Sequence, residues 1–254
     1  MVDHSSMKLG RLPPRFDPRI RRFAAYLPAV LPTVPDFPDW SGGRTSWDML
    51  GNDHIGDCGI CAPSHMLSAQ TAVLGRRWTP TTAEIVAIYC QVTGSRPPTT
   101  DFGTVETDFL TWWLGQTTDG FLGRHLVGWA SVDPKNHQAL RVAVYLLGGV
   151  LCGLNLPLNA QQQDTWDLTS AGLTGDGMPG GWGGHECAIV AIDKDGPICV
   201  TWNILQKMTW AWFDAYCEEI DACLTGAWIR GGASPANINL QMLESDMALI
   251  RSAT

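Results

Sequence analysis

The sequence has no apolar run long enough to cross a bilayer, which takes about 20 consecutive apolar residues. The best candidate, Leu146-Leu147-Gly148-Gly149-Val150-Leu151-Cys152, is too short and reads as buried strand or helix end. The N-terminus lacks an uninterrupted apolar signal core, because prolines and arginines break it up. No membrane partner is expected, and the chain reads as cytoplasmic at synthesis, with a phage or specialised export route as the alternative. Basic charge is also scarce. Seventeen Lys and Arg against 25 Asp and Glu leave a net charge of −8, which argues against nucleic acid as the main partner. The one basic cluster, Lys8, Arg11, Arg15, Arg19, Arg21 and Arg22, reads as a solvated or loosely docked arm. No internal repeat is present.

What is present suits a packed enzyme-sized domain. Hydrophobic residues make up 45% of 254, enough for one large core plus an N-terminal extension. Residues 1–45 hold seven prolines from Pro13 to Pro38, and proline fixes φ and removes a donor, so this stretch reads as an extended arm. Its aromatic residues (Phe16, Phe23, Tyr26, Phe37, Trp40) suit it to pack on the body or cover a cleft. Residues 46–231 read as the main domain, and 232–254 as a linker with a peripheral helix. The eight cysteines, in a large chain without a secretion signal, read mostly as buried free thiols.

Helices are expected from about Cys58 to Leu74, from the capping box Thr81-Thr82-Ala83-Glu84 to Val92, over 104–115, and from Asp133-Pro134 to Leu147. Asp57 is the N-cap candidate for the first, and Pro63 is tolerable only near its start. Strands are expected at 125–131, 150–156, 186–192 and 198–202, with further strands at 209–212 and 227–229 and a helix over 213–223. Helices first and strands second predict an α+β fold with an antiparallel sheet. The glycine-rich stretch 158–183 reads as a mobile loop.

Two segments carry chemistry. Asn52-Asp53-His54-Ile55-Gly56-Asp57-Cys58 puts a cysteine at a helix start, with an amide six residues upstream. Gly183-Gly184-His185-Glu186-Cys187 puts a histidine at the mouth of a strand. A helix N-terminus and an imidazole both favour a thiolate, and an amide donor suits an oxyanion, so these are the parts of a cysteine-nucleophile acyl-transfer site. Cys58 is the nucleophile candidate, with Cys61 the rival one turn deeper. His185 is the base candidate, and His54 is near enough in sequence to line the site. Asn52 is the oxyanion donor together with the Cys58 N–H. Asn203, just after the strand 198–202, is the candidate to orient the imidazole, ahead of Asp193 and Asp195. Cys58, Cys61, His65, His185 and Cys187 also offer zinc-type ligands, but a zinc site favours paired ligands on tight turns, and one pair here lies in a helix start. Neither a metal nor a cofactor is expected. Cys-Gly-Ile-Cys has redox-pair spacing without the strand that should precede it.

These segments resemble the papain-like cysteine peptidase superfamily. Asn52-x5-Cys58 looks like its glutamine-to-cysteine spacing with Asn for Gln, and Gly184-His185-x-x-Ala188-Ile189-Val190 resembles its histidine strand. Asp57-Cys58-Gly59-Ile60-Cys61-Ala62 is also similar to the nucleophile motif of the peptidase domains of bacteriocin-processing ABC exporters. Val200-Thr201-Trp202-Asn203 sits where these families place their orienting residue, although no tryptophan follows the nucleophile and Val200 stands where the papain pattern has its Asn. No helical inhibitory prosegment of the papain type is visible. The resemblance implies a papain-like fold, a helical half packed on a sheet half, and a cysteine hydrolase, peptidase or isopeptidase, acting on a protein or peptide. The alternative is an inert fold of this type serving as a binding, phage or assembly component.

Overall fold

The structure, a computed structural model, describes residues 3–230 and 240–251. Helix α1 (Cys58–Val73) begins where the Asp57 carbonyl accepts from the N–H groups of Ile60 and Cys61, at 2.8 and 3.0 Å. It is buried on all sides from Cys58 to Thr71, as a helix apolar all round should be. Two of its hydroxyls are satisfied internally, Ser64 donating to the Ile60 carbonyl and Thr71 to that of Leu67, while Ser68 accepts from Arg44 and Arg77. The expected capping box opens α2 (Thr82–Thr93), and Gly94 closes it at φ 74°. Helix α3 (Glu106–Gly115) packs Phe109 and Trp113 against Phe121.

The sheet follows, its strands being β1 (Leu126–Ser131), β2 (Val150–Leu156), β3 (Thr165–Trp166), β4 (Gly183–Ile192), β5 (Pro197–Thr201), β6 (Ile204–Met208) and β7 (Cys217–Thr225). Their order is β1-β7-β2-β4-β5-β6-β3, antiparallel apart from the short β3–β6 pair. Helix α4 (His137–Leu147) enters the sheet through Gly148 and Gly149. Among the described residues no helix is long and apolar enough to cross a membrane. The arrangement is the expected α+β one, with α1 packed on β4.

Several boundaries differ from expectation. Helix α4 starts at His137 rather than Asp133, because residues 133–136 form a turn and the Asn136 side chain caps the Ala139 N–H at 2.9 Å. Residues 209–212 are not a strand: Thr209 caps α5 (Trp210–Tyr216). The expected helix 213–223 ends at Tyr216, and the rest is β7, paired on both edges inside the sheet. Phe213, Tyr216, Cys217, Ile220 and Leu224 fall at helical spacing, which hid this strand, and Glu219 and Asp221 broke its apolar alternation. Residues 227–229 lie in helix α6 (Gly226–Arg230), not a strand. The stretch 158–183 is pinned by buried Ala160 and Trp166 and by the Tyr216 hydroxyl on the Gly177 carbonyl. Helix α7 (Leu240–Arg251) lays Leu243 and Met247 over Gly128 of β1; most of the expected linker before it lies outside the described residues.

Gln70 ties the two halves together. Its amide donates to the Leu147 carbonyl at 2.8 Å and accepts from the Thr225 hydroxyl at 2.7 Å, and all three groups are buried. Gln70→Ala leaves both partners unsatisfied beside a cavity and is expected to lower unfolding free energy by about 2–4 kcal/mol, measured by denaturant titration. A loss below about 1 kcal/mol would refute this bridging role.

Candidate active site

β4 carries His185 to the N-terminus of α1. The imidazole is fully buried, and its Nε2 lies 2.6 Å from the Thr201 hydroxyl at the end of β5. The Trp202 indole stacks on it, centroids 4.7 Å apart, and Trp182 packs against that indole. Trp202 holds φ at 48° in the two-residue turn between β5 and β6, a position that usually favours glycine. With Nε2 engaged by Thr201, Nδ1 is buried without a hydrogen-bond partner, and the thiols of Cys58 and Cys187 lie within electrostatic reach of the ring. Burial lowers the imidazole pKa, but the Cys187 and Cys58 sulfurs outweigh it and raise it to about 10. The sulfurs thus favour the protonated form of the ring.

Cys58, the first residue of α1, is fully buried. The helix itself does not use the N–H groups of its first residues, those of Cys58 and Gly59 among them. Cys187 lies two residues after His185 on the same strand face and opposite Cys152. Burial opposes its ionisation, but the Cys152 and Cys199 thiols and the imidazole pull the Cys187 pKa down. Cys187 is thus a second sulfur neighbour of the base. The two-residue spacing in His185-x-Cys187 already carried that signal.

The other expected residues are placed unequally. Asn203 does not reach the imidazole. It is the exposed second residue of the β5–β6 turn, held through its carbonyl by the Trp47 N–H at 3.0 Å. Thr201, two residues earlier and still in the ladder, holds the ring instead. Asn52 is buried near Asp57, and its amide donates to the Ile55 carbonyl at 3.1 Å. His54 points to solvent beside Asp53. Cys61 is buried beside Asp57, with burial and that carboxyl holding its thiol protonated. His65 is bound to the Asp48 carbonyl at 2.7 Å. Among the described residues no three His, Cys, Asp or Glu side chains form a group able to hold a metal ion.

The N-terminal arm runs across this site. His4 stacks on Trp202 at 4.7 Å. The Trp202 indole donates to the Lys8 carbonyl at 3.3 Å, and the Lys8 N–H donates to the Asn52 carbonyl at 3.3 Å. Beyond Gly10, the Arg11 N–H donates to the Gly184 carbonyl at 3.1 Å, next to His185. The arm thus bridges the helical half and the sheet half directly over the thiol–imidazole pair.

No family model matches the sequence, and no curated protein matches it. Solved structures do. Xylellain, a cysteine protease from Xylella fastidiosa, aligns at a TM-score of 0.63 over 86% of this chain and 96% of its own, with 11% identity. The ragweed pollen cysteine protease Amb a 11, in its proform, aligns at 0.52 over 77% and 68%, with 15% identity. Digestive procathepsin L 3 of the Tenebrio molitor larval midgut aligns at 0.53 over 87% and 77%, with 12% identity.

Asp57 gives this site a pH dependence. Its carboxyl is fully buried, and burial raises its pKa from 3.8 to about 7, against weaker opposing bonds from Cys61 and Asn52. Because the folded pKa is raised, Asp57 favours the folded state fully below about pH 4, and that contribution is lost as pH rises through about 7. Asp57→Asn should therefore stabilise the protein at pH 8 by about 2–4 kcal/mol more than at pH 4, read from denaturant unfolding at both pH values. A difference that does not change with pH would exclude a buried, protonated Asp57.

Proposed function

We propose that this chain, which has the fold of the papain-like cysteine proteases, is a cysteine hydrolase that cleaves peptide or isopeptide bonds through Cys58 and His185. One observation carries the reading: β4 brings His185 to Cys58 at a helix N-terminus while Thr201 holds the far ring nitrogen at 2.6 Å. In this reading Nδ1, free of other partners, serves the Cys58 sulfur, the division of labour a general base needs. Asparagine usually supplies such an anchor through its carbonyl, and here a threonine hydroxyl supplies it under the Trp202 indole.

In the proposed reaction the Cys58 thiolate attacks the carbonyl carbon, and the Cys58 N–H stabilises the oxyanion, joined by the Asn52 amide once that amide turns from the Ile55 carbonyl. The His185 imidazolium protonates the departing amine. The neutral imidazole then takes a proton from water, which attacks the thioester and releases the acid. Substrate needs the space that residues 8–12 occupy, so turnover requires the arm to leave the cleft. A second reading, an inert fold that binds a partner, draws on the same observation that the arm seals Cys58.

Gly10→Ala separates the two. A Cβ at Gly10 would stand 1.8 Å from the Gly56 carbonyl oxygen, an overlap that the arm and the Gly56 turn can relieve only by moving apart. Iodoacetamide labelling at pH 6.5, located by peptide mass spectrometry, should mark Cys58 about tenfold faster in Gly10→Ala than in the parent chain. Adding His185→Ala should remove that gain, and Thr201→Val should reduce it about three- to tenfold. Cys187→Ser should leave it in place. Ordinary thiol reactivity at Cys58 in an arm-displaced protein would end the hydrolase reading and support the binding one.

A further inference from the structure

Residues 8–12 sit in the cleft as a bound peptide would, with backbone bonds on both sides. The Gly10 carbonyl accepts from the Thr104 N–H at 2.7 Å, and the Leu12 N–H donates to the Thr104 carbonyl at 2.9 Å. Gly184 holds Arg11 from the opposite wall. Glycines make the approach possible: a Cβ at Gly103 would stand 2.3 Å from the Gly10 carbonyl oxygen, and one at Gly184 2.3 Å from that of Arg11.

The Arg11 side chain goes into the protein rather than out to water, with 1% of it exposed. It crosses Gly153 of β2, where a Cβ would lie 2.1 Å from its Nε. Its Nε donates to Glu219 at 2.8 Å and its Nη1 to Glu218 at 3.0 Å, and Glu186 lies 3.5 Å away. Glu106 and Asp221 complete the wall, both within electrostatic reach of Arg11. Both oxygens of Glu106 and both of Glu186 are buried without a hydrogen bond. Burial raises the Glu106 and Glu186 carboxyls well above their usual range and Asp221 to about 8. An anchor for the arm needs one or two carboxylates, and burying further ones without partners is unfavourable. This surplus, on walls that already grip a peptide backbone, has the form of a cation-recognition pocket. A cavity of about 330 Å³, lined in part by Glu218, Glu219, Asp221 and Thr107, opens beside it.

We propose that Glu106, Glu186, Glu219 and Asp221 form the pocket that selects an arginine side chain in a peptide substrate, and that Arg11, preceded by Gly10, fills it as an intramolecular stand-in. The proposal rests on the reading that this cleft takes a peptide, and it names the substrate class: an extended segment with arginine next to a small residue. The planar guanidinium donates to Glu218 and Glu219 at once, a fork that lysine's single ammonium does not match.

The test is calorimetric titration of acetyl-Leu-Gly-Arg-Leu-amide, and of its uncharged citrulline analogue, into full-length Arg11→Ala protein that also carries Cys58→Ala to prevent turnover. The arginine peptide should bind at least about tenfold more tightly than the citrulline peptide, and adding Glu219→Gln should cut that preference at least about threefold. Equal affinities, or no binding of either peptide to a variant with a native near-ultraviolet spectrum, overturn the proposal. Should Arg11→Ala not fold, Gly10→Ala with Cys58→Ala takes the same titration and the same criteria. Parallel hydrolysis assays with Cys58 intact tell the two readings apart. Arginine-selective binding without cleavage leaves the pocket standing and removes the hydrolase. Cleavage without arginine preference does the reverse.

Discussion

The register of β4 is the constraint on which the rest of the site depends. The strand is bonded along both edges, to β2 and β5, and is buried over most of its length, so it cannot slip without exposing its whole apolar face. Successive residues point to opposite sides. His185 and Cys187 therefore share one side with the start of α1, while Glu186 is turned the other way, to the Arg11 guanidinium. A slip of one residue would exchange a base for a carboxylate. The same register sets Thr201 against Nε2 from the neighbouring strand and puts Gly153 between Glu186 and Glu219, where a side chain would collide with Arg11.

Around that strand the molecule concentrates titratable groups in its interior. A buried imidazole with two sulfur neighbours occupies one side, and on the other the buried carboxyls of Glu106, Glu186 and Asp221 and the part-buried Glu219 surround the Arg11 guanidinium. Low dielectric makes each arrangement strong when complete and costly when a partner is missing. The arm completes both, His4 covering the tryptophan that shields the base and Arg11 countering the carboxyls. Closing the cleft and stabilising the folded chain are therefore one set of contacts. Opening the cleft exposes the thiol and leaves the carboxyls without their cation.

The elements legible in the sequence were those whose signals are local. The Thr81–Glu84 capping box, the Cys58 helix start and the apolar run of β2 all lie within a few residues. β7 was not legible, because its acidic residues face a guanidinium more than 200 positions away rather than water. Asn203 was a reasonable orienting residue on composition, but a two-residue turn carries it outward, and Thr201 fills that role from inside the ladder. The basic cluster of the arm reads as solvated, yet Arg11 is among the most buried charges in the protein.

The sequence by itself determined the local chemistry: a cysteine opening an apolar helix, a histidine entering a strand, and an amide upstream of the cysteine. Capping, periodicity and turn preference depend on neighbours within a turn or two, so they can be read in order along the chain. Which groups meet was decided only by the tertiary structure. The threonine that holds the imidazole, the second thiol beside it, the arm across the cleft and the carboxyls around Arg11 all come from strand register and from packing between distant segments. Those interactions act through space, between residues whose separation along the chain carries no trace of them.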